Sequence, residues 1–110
     1  MTGVWLDANN RLWRAVILQA LLDASGFGRS VNPSWPEWKH EKVRDDALKW
    51  LLYDEKDFPS VCTFATVPEE SVRKLARLLE KGDEQAKLLL LEWRDIFAKQ
   101  LRESKNELEI

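Results

Sequence analysis

The chain holds one cysteine, one histidine, four glycines and four prolines in 110 residues. A single thiol, Cys62, excludes an internal disulfide and a cysteine-built metal cluster, and it suits a reducing compartment. The lone imidazole, His40, stands near Glu37, Glu41 and Arg44 with no nucleophile or acid placed for it, so it reads as surface decoration. Gly26 and Gly28 match neither the dinucleotide fingerprint nor the phosphate-loop pattern. No apolar run is long: Ala15 to Leu22 is broken by Gln19, and Leu88 to Leu91 is shorter still. A bilayer span needs about 20 such residues, so no membrane contact is expected. Met1 to Asn10 lacks a basic start and an apolar signal segment, which argues against secretion and for the cytoplasm, a host cell's if the chain is phage-encoded. Neither sign of charge dominates: 17 Lys and Arg against 19 Asp and Glu give a net charge of -2. That excludes a polybasic coat or tail, but not a local basic face.

What is present is a globular composition, 45% hydrophobic and 33% charged, with enough chain for one core. Six tryptophans are the unusual surplus. Trp combines a large apolar area with one N–H donor, so it serves cores and contact surfaces alike.

Helical spacing dominates the pattern, and no segment alternates apolar and polar residues for long. The chain is expected to be one all-α domain over 1–110, a small bundle of about five helices. Ala8 to Ala24 carries Trp13, Val16, Ile17, Ala20, Leu21 and Ala24 on one face, widened by Leu12, Ala15, Leu18 and Leu22. Such a helix is either central or partly covered by a second chain. Gly26 ends it, and Phe27 to Pro36 reads as a loop. Ser34 and Glu37 form a weak capping box for a helix reaching Tyr53, with Val43, Ala47, Trp50 and Leu51 inward. Asp57 is placed to cap a short helix, Phe58 to Ala65. Another follows from Glu69 to about Lys81, and a last one from Glu84 to about Glu103, with a frayed tail over 104–110.

The segment 57–81 has the length and pattern of a helix-turn-helix. Phe58, Val61, Cys62 and Ala65 fall at i, i+3, i+4, i+7; Thr66, Val67 and Pro68 break the pattern; Val72, Leu75, Ala76 and Leu79 form the second stripe. Ala65 is small enough for a close helix crossing, and Val67 can plug the turn. On the face left free the spacing places Ser71, Arg73, Lys74, Arg77 and Lys81, with Thr63 and Thr66 nearby. Arg suits guanine edges and Lys suits phosphates, so this row is the candidate contact to double-stranded DNA. Glu69 and Glu70, at the end that would approach DNA, favour the helix dipole but repel phosphate. A solvated amphipathic helix in a bundle is the competing reading.

The run RLWRAVILQALLDA from Arg11 to Ala24, the element Ala47, Trp50, Leu51, and Asp57, Phe58, Val61, Cys62 with Val67, Pro68, Val72 and Arg73 resemble a group of small uncharacterised phage and prophage proteins. The resemblance covers about residues 11–24 and 46–75. It implies a helix-turn-helix and no particular activity. The chain departs from that pattern at Thr66, where glycine is common.

The remaining polar residues point to no chemistry. Cys62 falls on a buried stripe, where it acts as a small apolar residue. Glu37, Glu41 and Asp45 follow i, i+4, i+8, but Lys42, Arg44 and Lys49 interleave, which makes a solvated face. Neither enzyme activity nor a metal or cofactor is expected. Trp13, Trp50 and Trp93 lie on apolar stripes and read as core. Trp5, Trp35 and Trp38 do not. They either lid the core or form an aromatic patch that docks a host protein or nucleoprotein complex, the alternative to DNA. Pairing into a homodimer through the first or last helix is compatible with either.

Overall fold

The structure is a computed structural model that describes the backbone of residues 2–108 and the side chains of residues 11–99. Among the described residues it is all-helical: α1 (Thr2–Ser25), α2 (Gly28–Val31), α3 (Glu37–Tyr53), α4 (Asp57–Ala65), α5 (Glu69–Glu80) and α6 (Glu84–Leu108). The additional helix, α2, is a single turn inside the expected loop, closed by the Asn32 N–H donating to Gly28 at 2.8 Å. α1 begins at Thr2, well before Ala8, and α6 continues beyond Ser104 to Leu108, where fraying was expected.

α1 is the central element and touches α3, α4, α5 and α6. Ile17, Leu21, Leu22 and Ala24 of α1 meet Ala47, Leu48, Leu51 and Leu52 of α3. The expected stripes of α4 and α5 are all buried, with Phe58, Ala65 and Ala76 fully enclosed. Among the described residues of α6, Ala86 and Leu90 are buried and Leu91 packs against the core. None of the buried residues among those described is polar or charged. Cys62 is 2% exposed, and burial, helped by the Glu69 carboxylate, raises its thiol pKa. A protonated, enclosed thiol is chemically quiet.

Three helices end in the same hydrogen-bond pattern, in which one N–H past the last turn reaches back to the carbonyl five residues earlier and the N–H before it to the carbonyl three residues earlier. In α1 the Phe27 N–H donates to Leu22 and the Gly26 N–H to Asp23. In α5 the Asp83 N–H donates to Leu78 and the Gly82 N–H to Leu79. In α4 the Val67 N–H donates to Cys62 at 3.1 Å and the Thr66 N–H to Thr63 at 3.2 Å. The residue at the bend must be left-handed. Gly26 (φ 84) and Gly82 (φ 78) adopt that conformation without a Cβ penalty, whereas Thr66 (φ 57) is β-branched. The turn survives because Val67 is fixed against the core.

Helix starts differ from expectation. Asp57 does not cap α4. The Asp54 carboxylate does, accepting from the amides of Lys56 (3.0 Å), Asp57 (2.6 Å) and Phe58 (3.0 Å). Asp57 sits one turn too late and contributes only its charge at the helix start. Ser34 makes no cap on α3, whose first residue, Glu37, follows Pro36 directly. Asp83 caps α6 as its position suggests, accepting from the Ala86 N–H at 2.9 Å.

The strain at Thr66 gives a direct test. A left-handed non-glycine residue costs about 1–2 kcal/mol, part of which glycine loses again through unfolded-chain entropy. Thr66→Gly is therefore expected to stabilise the fold by about 1 kcal/mol, read as a thermal midpoint several degrees higher. A lower midpoint would mean that the threonine side chain contributes more than its backbone costs.

Candidate nucleic-acid interface

α5 divides cleanly into an inner and an outer face. Val72, Leu75, Ala76 and Leu79 face the core, while Glu70, Ser71, Lys74, Arg77, Leu78 and Lys81 are exposed. Lys74, Arg77 and Lys81 rise along three successive turns, and among the described residues none of them has an ion-pair partner. Thr63 and Thr66 are exposed beside this row. The Thr63 hydroxyl donates back to the Pro59 carbonyl at 3.0 Å, leaving its oxygen available only as an acceptor.

Arg73 does not belong to this face. Its side chain is 13% exposed, its Nη1 donates to the Leu52 carbonyl at 2.8 Å, and its Nη2 donates to the Asp54 carbonyl at 2.6 Å. The guanidinium lies 5.0 Å from the centre of the Phe58 ring and 3.3 Å from the Glu69 carboxylate. Its Nε is buried without a hydrogen-bond partner. Leu52 and Asp54 end α3, where carbonyls lack helical partners, so Arg73 acts as a C-cap supplied by another helix. Arg44 returns the favour from α3, donating to the Glu80 carbonyl at the end of α5 at 3.2 Å. Two arginines thus close opposite ends of one helix pair.

This joint also changes the acidic start of α5. Glu69, expected to repel phosphate, is paired with Arg73, and only Glu70 projects freely there. A cation that sequence spacing missed lies at the turn: Arg14 of α1, exposed, donates its Nε to the Ala65 carbonyl at 2.9 Å. The two residues are 51 apart in the chain, and no local pattern signals that pairing.

The tryptophans separate by environment. Trp50 packs edge-on against Phe58 with ring centres 5.1 Å apart, and Trp13 lies 5.4 Å from Phe64. Both are half-buried against the core. Trp93, read as core, is 44% exposed; α6 turns toward α1 and α5 through Ala86 and Leu90, and Trp93 falls at the edge of that contact. Trp35 is half-buried, with the Lys39 ammonium 4.2 Å from its ring centre and His40 beside it. Trp38 is 64% exposed and stands apart from Trp35's pocket. Trp5 falls within the backbone of α1, and its side chain lies outside the described residues. An apolar cleft of about 300 Å³ runs between α1, the start of α5 and α6, lined by Leu18, Val67, Ser71, Trp93, Ile96 and Phe97 among others. Glu37, the first of the three spaced carboxylates, is ion-paired with Arg29. Among the described residues no cluster of side chains is arranged to hold a metal ion, and no helix is long and apolar enough to cross a membrane.

Two experiments probe the joint. Arg73→Lys keeps the charge but loses the fork that reaches two carbonyls. It is expected to cost about 2–3 kcal/mol, and Arg73→Ala more, in chemical denaturation; a loss under about 0.5 kcal/mol would show the carbonyls to be equally well served by water. The second concerns acid. The amides of Phe58, Asp57 and Lys56, with Arg73 nearby, hold the Asp54 carboxyl below the usual carboxylate range. Its contribution is present above the unfolded pKa of about 3.9 and lost as pH falls through the lower folded value. Asp54→Asn should therefore flatten the fall in thermal midpoint below about pH 4, and an unchanged acid profile would refute this.

Comparison of the chain with protein-family models, curated proteins and solved structures finds no match in any of the three.

Proposed function

We propose that α4, the turn at Thr66–Pro68 and α5 act as a helix-turn-helix that binds double-stranded DNA. The observation that carries this reading is the row Lys74, Arg77 and Lys81 on the outer face of α5, without ion-pair partners among the described residues. Three supports add to it: the fixed turn that presents α5, the pairing of Glu69 with Arg73, and Arg14 at the turn. Cations without partners in the protein release counterions when they meet phosphates, which is the main sequence-independent source of DNA affinity. With Arg73 withdrawn into the fold, the contact rests on phosphate attraction by Lys74, Arg77 and Lys81. Ser71, an exposed hydroxyl in the first turn of α5, adds a neutral polar group to this face. A DNA-binding protein of this size would suit a regulatory or packaging-accessory role.

Trp38 supports a second reading. Its ring is 64% exposed at the start of α3, a size and position suited to docking a protein complex.

Fluorescence anisotropy with a mixed-sequence duplex at about 50 mM and about 200 mM salt separates the two readings. Replacing Lys74, Arg77 and Lys81 together by Ala is expected to weaken binding at least tenfold at the lower salt and to reduce the log–log salt slope by about 3. Trp38→Ala should leave it unchanged. No affinity at the lower salt, or equal affinity for the triple variant, would sink the DNA reading and leave the aromatic one.

A further inference from the structure

α6 carries an apolar ribbon that the fold leaves uncovered. Leu89, Trp93 and Ile96 follow i, i+4, i+7 and are 40%, 44% and 48% exposed. The ribbon is continuous with the apolar cleft, because Trp93 and Ile96 also line its rim beside Val67 and Phe97. Along its outer edge stand Glu92 and Lys99, seven positions apart and therefore on the same side of the helix. Both are exposed, and among the described residues neither has a partner.

We infer that this ribbon is a homodimer interface in which α6 packs antiparallel against α6 of a second copy. The charges select that occupant. In an antiparallel helix pair related by a two-fold axis, like edges face each other, so the edge of one chain meets the same edge of its copy running backwards. A register that sets Trp93 of each chain against Ile96 of the other brings Glu92 within about two residues, some 3 Å along the axis, of the second copy's Lys99. Symmetry makes this pairing twice. One chain therefore supplies both the apolar strip and the charges that complement it, which a partner of unrelated sequence would have to match by separate means. Trp at the centre suits such a contact, since its ring buries while its N–H stays at the wet rim. The inference does not depend on the DNA reading, and its test uses no nucleic acid.

Sedimentation velocity on the full chain, from about 10 μM to about 1 mM, should show a concentration-dependent shift from the 12.9 kDa monomer to a species of twice that mass. Glu92→Lys and Lys99→Glu each place like charges at both contacts and should each raise the dissociation constant about tenfold. The double exchange, Glu92→Lys with Lys99→Glu, should restore it to within about threefold of the parent. Trp93→Glu with Ile96→Glu should remove the dimer. These positions are exposed, so circular dichroism should show unchanged helicity and report any variant that misfolds; the charge exchanges remain readable in that case. A monomer at every concentration, a dimer indifferent to Trp93→Glu with Ile96→Glu, or single reversals that the double exchange fails to rescue would each overturn the antiparallel dimer.

Discussion

The antiparallel pair of α3 and α5 is closed at both ends by arginines that cross between them. Arg73 of α5 bonds the carbonyls at the end of α3, and Arg44 of α3 bonds the carbonyl at the end of α5. Helix ends leave carbonyls without partners, and burial of a helix end requires that something supply donors. The two arginines are not equivalent. Arg44 makes one bond of 3.2 Å in an exposed setting, whereas Arg73 makes two shorter ones over the face of Phe58. Charge-assisted bonds to carbonyls strengthen as water is excluded, so the Arg73 end fixes the geometry. The same carboxyl-bearing residue that receives Arg73 on its carbonyl, Asp54, caps α4 with its side chain. The end of α3, the start of α4 and the first turn of α5 therefore meet at one polar joint above Phe58.

That joint decides what α5 can offer to a partner. A helix residue one position away is turned by about 100°, so Arg73 faces the joint while Lys74 faces solvent. The charge distribution along α5 follows the same division. Glu69 is drawn to the positive start of the helix and to Arg73, while Arg77 and Lys81 lie at the negative end, where a helix dipole favours cations. A net charge of -2 conceals this because the acids are distributed elsewhere, including Glu41, Asp45 and Asp46 on α3. The total charge constrains solubility and steering, not the sign of one face.

What the sequence made legible was periodic, and what it hid was long-range. The stripes Phe58, Val61, Cys62, Ala65 and Val72, Leu75, Ala76, Leu79 are all buried, because helical spacing depends only on neighbours within two turns. Gly26 was likewise readable from local chemistry. Arg73 was not: its partners lie 21 and 19 residues upstream, and spacing on α5 cannot distinguish a cation that turns inward from one that stays out. The cap of α4 was misplaced for a related reason. Asp54 and Asp57 are both acidic and near the helix start, and only the path of the chain determines which carboxylate reaches three amides. Thr66 was visible as a departure from glycine, but not as a residue held in a left-handed turn by Val67 behind it.

The tryptophans divide by what stands beside them. On α6, Ala86 and Leu90 enter the core, while Leu89, Trp93 and Ile96 lie on the adjoining side of the helix and stay outside. Elsewhere aromatic residues find partners within the fold: Trp13 has Phe64, Trp50 has Phe58, and Trp35 has a lysine over its face. Among the described residues Trp38 and Trp93 have no such neighbour. Large apolar side chains left on a surface in a contiguous strip mark contact sites more often than singly scattered ones do. Trp93 belongs to a strip and Trp38 stands alone, so the stronger physical case for a protein contact lies on α6, away from the loop where tryptophan and proline cluster in the sequence.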